Sequence, residues 1–457
     1  TAVNFVAQFV FLGILARLLD PAAFGLMAMT AIVLRFASFF AQMGAGQALI
    51  QKPELLPRDV GAALALALGV SSLLYVVLWL AAPLAVLYFK SPGLAEMVRW
   101  AGLSLIVSAP GGISLACLRR QGRFAALSFA EVFSYIAGYG LVGVACAYQG
   151  LGVWSLIAAS LAQAALLCLA GFTLARPEMK LDGLRESIGH FWGYGSKHSL
   201  IGFLEFIGAN LETLYLGRSM GQHALGLYNR AQVLCNLPVE QSVGALGKVV
   251  FPLLSRMQHD RHRLGEVFLA LLMGIGLIAA PIAFGLSAAA GEVVDILLGP
   301  RWADAVAAVE LLALSVPALF LYFACGITLD SLAALKAKLA LQSLAVIGKL
   351  ALLFALAGGG LRGAILAVVV AEYLRLGMGL WLCRRELALP WRRVLGAVGF
   401  VLLLGLLVHL GVRGGQAVMA EQGLSAWTRL LVEVALAGVI VAAVVLGYAS
   451  VFRLFLV

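Results

Sequence analysis

The sequence predicts an all-α polytopic membrane protein with about 14 transmembrane helices, built as two six-helix repeats of the same orientation plus two C-terminal helices. Three observations predict it. The chain is 63% hydrophobic and only 12% charged, with a mean hydropathy of +1.01. Soluble domains carry roughly 25% charged residues, so a water-soluble reading fails for want of polar surface. Long stretches lack charge altogether, among them 60–89 and 150–175. Finally, the opening punctuation returns about 200 residues later: LARLLDPAAFGLMAM (15–29) aligns with LGRSMGQHALGLYNR (216–230), pairing Arg17 with Arg218 and Gly25 with Gly226.

The opening stretch sets the elements. An apolar helix ends near Arg17, the short link Leu19-Asp20-Pro21 follows, and a second helix begins near Phe24. The expected spans are 2–18, 24–48, 60–88, 96–118, 124–147, 152–175, 194–216, 224–250, 266–290, 305–330, 338–358, 362–383, 393–412 and 428–452. The chain begins with Thr1 already inside a helix, so a short basic segment is expected before it. No cleavable signal peptide is evident.

Basic residues orient these spans. One set of links holds Lys52, Arg58, Arg119, Arg120, Arg123, Arg176, Lys180, Arg185, Arg256, Arg261, Arg263, Lys336, Lys338, Arg384, Arg385, Arg392 and Arg393. The opposite set holds Arg17, Lys90, Arg218, Arg301, Arg362, Arg413 and Arg429. Lysine and arginine concentrate on the cytoplasmic side, so both termini are expected to be cytoplasmic. The net charge of +10 needs no nucleic-acid partner on this account.

Two further matches support the duplication. LAAPLA (80–85) aligns with IAAPIA (278–283), and SLIVSAPGG (104–112) with LLALSVPAL (311–319). The expected domains are an N-terminal lobe (1–175), a polar amphipathic cytoplasmic linker (176–193), a C-terminal lobe (194–385) and two additional helices (386–457). Prolines 83, 110, 238, 281 and 317 are expected mid-span, where they would kink their helices.

Catalytic signatures are absent. There is no metal-ligand cluster, no P-loop and no loop long enough for an extramembrane catalytic domain. The six cysteines lie singly in apolar stretches and read as small core residues. The chain is therefore expected not to be an enzyme and to need no cofactor.

What stands out is charge inside spans. Such a side chain costs about 2.5–3.5 kcal/mol at the bilayer centre on the insertion scale, so it usually faces a wet cavity or a partner. Arg35 and Lys349 are the deepest cations and point to a cavity role. Arg230 and Lys248 lie nearer helix ends, where snorkelling is an equal alternative. Glu131, Glu205, Glu212, Glu240, Glu310 and Glu372 form the acidic set, with Glu205 and Glu212 seven apart on one helix face. Glu372 and Arg375 are three apart and read as a local ion pair. Glu310 and Glu433 read as interfacial, and His409 has no assigned role.

The run Arg17-Leu18-Leu19-Asp20-Pro21, then Phe24-Gly25-Leu26, then Gly44-Ala45-Gly46-Gln47-Ala48-Leu49-Ile50-Gln51 resembles the start of polysaccharide-export flippases. These are the Wzx-like and PST-type members of the multidrug/oligosaccharidyl-lipid/polysaccharide (MOP) superfamily. The basic link Arg119-Arg120-Gln121-Gly122-Arg123 and the later Leu216-Gly217-Arg218 and Leu225-Gly226-Leu227-Tyr228 extend the likeness. The resemblance implies a V-shaped pair of lobes and a polyprenyl-pyrophosphate-linked oligosaccharide cargo. It also implies a bacterial inner-membrane location, with polysaccharide polymerase and export proteins as partners beside membrane lipids. The resemblance carries over no individual site residue; on the charge argument alone, Arg35, Lys349 and Arg230 are expected to hold the pyrophosphate, and Glu131, Glu205 or Glu240 to couple transport to H+ or Na+. Two alternatives stay open: a cation-coupled exporter of small amphipathic drugs, and a non-transporting component of a polysaccharide assembly complex.

Overall fold

In a computed structural model of the chain, residues 2–41, 49, 54–180, 199–257, 260–332, 334–419 and 425–447 are described. Among them every regular element is helical. The chain divides into two compact units, Thr1–Gly226 and Leu227–Val457. Most of the expected linker, from residue 181 onward, lies outside the described residues, as do 42–48 of the opening motif.

The first unit holds α1 (Ala2–Leu18), α2 (Pro21–Ala41), α3 (Pro57–Phe89), α4 (Leu94–Arg120), α5 (Phe124–Tyr148), α6 (Val153–Ala175) and α7 (Ser199–Ser219). The link after α1 works as a helix start. The Asp20 carboxylate accepts from the Ala23 N–H at 2.8 Å, and Pro21 takes the first helical position, where its missing N–H costs nothing. α4 packs between α3 and α6. Glycines allow this: a Cβ on Gly171 would come 2.2 Å from Ser114 Oγ, and one on Gly111 3.3 Å from Cys168 Cα.

The basic link after α4 has a structural task. Arg123 donates to the Leu174 carbonyl at 2.7 Å, Gln121 to the Ala175 carbonyl at 3.3 Å, and Arg120 to the Leu49 carbonyl at 2.9 Å. The guanidinium of Arg123 thus meets the open carbonyls and negative dipole end of α6.

The second unit continues α8 (Gly221–Arg256) and adds α9 (Arg261–Ala288), α10 (Ala290–Leu297), α11 (Val306–Ala313), α12 (Val316–Ser331), α13 (Leu335–Ala355), α14 (Gly360–Leu387), α15 (Trp391–Met419) and α16 (Ala426–Gly447). The expected single span 305–330 is a broken one: α11 and α12 meet at a 41° bend. Pro317 sits in the first turn of α12. Its ring and missing N–H stop the preceding helix from running through. Pro317 is thus a helix start here, whereas its repeat counterpart Pro110 lies inside the continuous α4.

The two C-terminal helices are integrated into this unit. α15 packs closely along α9, with Gly276 against Val401 and Gly405 against the Phe284 ring. Arg393 of α15 grips Glu266 of α9 through two hydrogen bonds of 2.6 Å.

Among the described residues ten helices are long and apolar enough to cross a membrane, or eleven if the bent pair counts as one span. Within the described residues each of the fourteen expected segments overlaps a helix, the 305–330 segment more than one. α1, α7 and α8 stand outside the ten, so the count of fourteen is a sequence expectation.

Candidate functional site

The most concentrated intramembrane charge is in the second unit, where α12, α13 and α14 meet. Lys349 on α13 is 7% exposed and Glu372 on α14 is 5% exposed. Lys349 Nζ donates to Glu372 Oε1 at 2.7 Å. Arg375, one turn further along α14, donates from Nη1 to Glu372 Oε2 at 3.3 Å. Its guanidinium lies 3.8 Å above the ring of Tyr322 on α12, a cation–π contact.

Gly379 makes this meeting of helices close. A Cβ there would come 3.0 Å from the Tyr322 ring. One carboxylate therefore serves two cations, and the cluster carries one positive charge in excess. Nearer the start of α13, Lys338 pairs with Asp330 of α12 at 2.8 Å.

The i,i+3 pair of Glu372 and Arg375 is present as its spacing suggests. Lys349 enters from another helix, 23 residues away, and is held by that same carboxylate rather than standing alone. Sequence reasoning missed Tyr322, because nothing local signals a ring that reaches its cation across two helices.

The other candidate residues sit as follows. In the first unit, Arg35 is exposed on α2 and has no hydrogen-bond or ion-pair partner among the described residues. Phe36 beside it meets Phe206 of α7 at 6.2 Å. Glu131 is half-buried on α5. Glu205 lies on α7, but its side chain is outside the described residues; Glu212, two turns on, is buried. In the second unit, Arg230 is half-buried on α8 with Nη2 donating to Asn229 Oδ1 at 3.0 Å, and Glu240 is exposed on the same helix.

A further polar network closes the opposite end of α15. Gln416 donates to Glu433 Oε1 at 2.9 Å and to the Ala288 carbonyl at 3.1 Å. Arg413 pairs with Glu310. Glu433 is only 2% exposed and is packed into this network. With Glu266–Arg393 at the other end, α15 is pinned at both termini.

No group of three or more metal-ligating side chains exists among the described residues.

Helices of this length and apolarity, ten of them among the described residues, mark a multi-pass membrane protein. Residues 14–307 match the family described as polysaccharide biosynthesis protein, and the chain belongs to that family. It is 24% identical over 284 residues to the teichuronic acid biosynthesis protein TuaB of Bacillus subtilis (strain 168), covering 61% of this chain and 58% of that one. It is 29% identical over 319 residues to the succinoglycan biosynthesis transport protein ExoT of Rhizobium meliloti (strain 1021), covering 68% and 63%. The matches span about three-fifths of these relatives' own lengths. The fold is similar to that of the lipid II flippase MurJ in an inward closed conformation, with a TM-score of 0.77, 12% identity and coverage of 99% of this chain and 100% of that one.

Proposed function

We propose that this protein is a flippase, not an enzyme. It moves polyprenyl-pyrophosphate-linked oligosaccharide repeat units from the cytoplasmic to the periplasmic leaflet of the bacterial inner membrane, for exopolysaccharide or lipopolysaccharide export. The observation that carries this reading is membership of the polysaccharide biosynthesis family across 14–307. The fold likeness to a lipid flippase and the relative named as a transport protein support it.

In this reading the chain works by alternating access, and intramembrane cations hold the pyrophosphate. Arg35 is the leading candidate. Its guanidinium is exposed on an apolar helix, it is unengaged among the described residues, and its planar fork suits two phosphate oxygens. Lys349 and Arg230 are the other candidates, Lys349 as part of a cluster with one positive charge to spare. Glu131, Glu205 or Glu240 would couple transport to H+ or Na+. The chain would work beside the polysaccharide polymerase and export proteins, with no nucleic acid involved.

The test is genetic. Removing this chain from a polysaccharide-producing cell is expected to stop surface polymer and to accumulate lipid-linked repeat units at the cytoplasmic leaflet. The wild-type chain restores export. Undiminished polymer in the deleted strain contradicts the proposal.

A further inference from the structure

One membrane-embedded surface has a composition that neither lipid nor pyrophosphate explains. It lies on α5, whose residues form three faces. Gly138 and Gly143 pack on α6, where a Cβ would come 2.8 Å from Gln163 Cβ and 2.9 Å from Ala159 Cβ. Phe129, Phe133, Ile136 and Leu141 are exposed and apolar, as a lipid face must be. The third flank carries Ser128, Glu131, Tyr135 and Tyr139, all half-buried.

This flank lies beside α1 and is built of rings. Tyr135 and Tyr139 stack with centroids 4.9 Å apart and 25° between planes. Phe11 of α1 joins them 6.3 Å from Tyr135, at 53°. The backbone is unusual here, because Ile136–Gly143 forms π-helical turns. Such turns are rare and are frequently found at functional sites. Gly140 makes the arrangement possible: a Cβ at that position would come 2.5 Å from the Phe11 ring.

We infer that this flank is the subsite for the glycan of the lipid-linked cargo, with the ring faces of Tyr135, Tyr139 and Phe11 stacking on a pyranose and Glu131 accepting its hydroxyls. This assignment rests on the flippase reading above and deepens it.

Elimination narrows the ligand. No lysine or arginine occurs between Phe124 and Tyr148, so the flank does not suit a pyrophosphate. A carboxylate is costly against a hydrocarbon chain, so it does not suit the prenyl tail. Glu131 takes no side-chain hydrogen bond or ion pair among the described residues, which leaves its oxygens open to a ligand's donors. A sugar ring offers what is left, namely an apolar C–H face and a rim of hydroxyl donors. Aromatic faces with a few placed polar groups are the usual lining for such ligands. Glu131 is then a glycan contact, and the coupling role falls to Glu205 or Glu240.

The test uses the full chain in nanodiscs. Two ligands are compared: the lipid-linked oligosaccharide extracted from the producing cells, and sugar-free polyprenyl pyrophosphate. Glu131→Gln and Tyr139→Leu are each expected to weaken the glycan-bearing lipid about ten-fold, and to leave the sugar-free lipid within roughly two-fold. Tyr139→Phe keeps the ring and retains affinity. Variants that keep the wild-type preference for the glycan-bearing lipid, or that lose both ligands equally while melting as the wild type does, overturn the subsite alone. A wild-type chain that binds neither lipid overturns the flippase reading and the subsite with it.

Discussion

Gly25 and Gly226, the equivalent positions of the internal repeat, make the same contact in opposite directions. A Cβ on Gly25 would lie 1.7 Å from the Gln222 carbonyl oxygen, and one on Gly226 would lie 1.8 Å from the Pro21 carbonyl oxygen. Each glycine thus touches the residue four positions before its counterpart. The contact is therefore reciprocal between aligned positions. The starts of α2 and α8 cross with their backbones in direct contact, as small residues permit between membrane helices.

Alanine at either glycine therefore has nowhere to place its methyl group, and the obstacle is a backbone carbonyl that no rotamer change removes. Gly25→Ala and Gly226→Ala are each expected to destabilise the protein by at least about 2 kcal/mol. Gly69→Ala is the control, since nothing lies within 4 Å of that site. Thermal unfolding in detergent checks this. A Gly25→Ala protein that melts with the control removes the close crossing from the account.

The cluster on α12, α13 and α14 makes an ordered prediction. Glu372→Gln leaves Lys349 and Arg375 buried without a counter-charge and is expected to cost about 3–5 kcal/mol. Lys349→Met should cost less, because Arg375 still neutralises Glu372. Comparing the melting temperatures of the two variants checks the order. Equal losses would mean that the second cation gives Glu372 nothing.

The clamp between Glu266 and Arg393 should behave as a replaceable pair. Both side chains are about one-third exposed, so screening limits its worth to about 1 kcal/mol despite good geometry. Arg393→Glu is expected to lower stability by roughly that amount, and adding Glu266→Arg should recover most of it. A double variant that melts no higher than the single one contradicts a direct pair.

These cases show what the sequence could and could not disclose. Composition alone required membrane helices, because so few charges cannot cover so much apolar mass. The Asp20-Pro21 link and the Glu372–Arg375 pair were legible, since both are local, although α2 begins at Pro21 rather than near Phe24. Gly25 and Gly226 could be aligned as equivalents, but alignment does not say that equivalents touch. Lys349 looked like a lone cation because its carboxylate is on the next helix. Tyr322 left no trace at all, and no motif marks the π-helical turns of α5. The break between α11 and α12 was marked by Pro317, yet a proline equally permits the continuous helix seen around Pro110.

Arg35 carries the prediction nearest to function. It is exposed and makes no hydrogen bond or ion pair among the described residues, so Arg35→Ala should fold and melt as the wild type does. Its loss should appear in transport only, as at least a ten-fold slower rate if it holds the pyrophosphate through a charge-assisted pair. Arg35→Lys keeps the charge but loses the fork and should fall between the two. An Arg35→Ala chain that restores polymer export at the wild-type rate removes this residue from the mechanism.

The most direct measurement is reconstitution. The purified chain is placed in sealed vesicles with lipid-linked oligosaccharide, and the fraction of glycan reachable by an external, membrane-impermeant probe is followed over time. Vesicles holding the wild-type chain should expose inner-leaflet glycan far faster than protein-free vesicles. Identical exposure with and without the protein would contradict the proposal that this chain carries sugar-bearing lipids across the membrane.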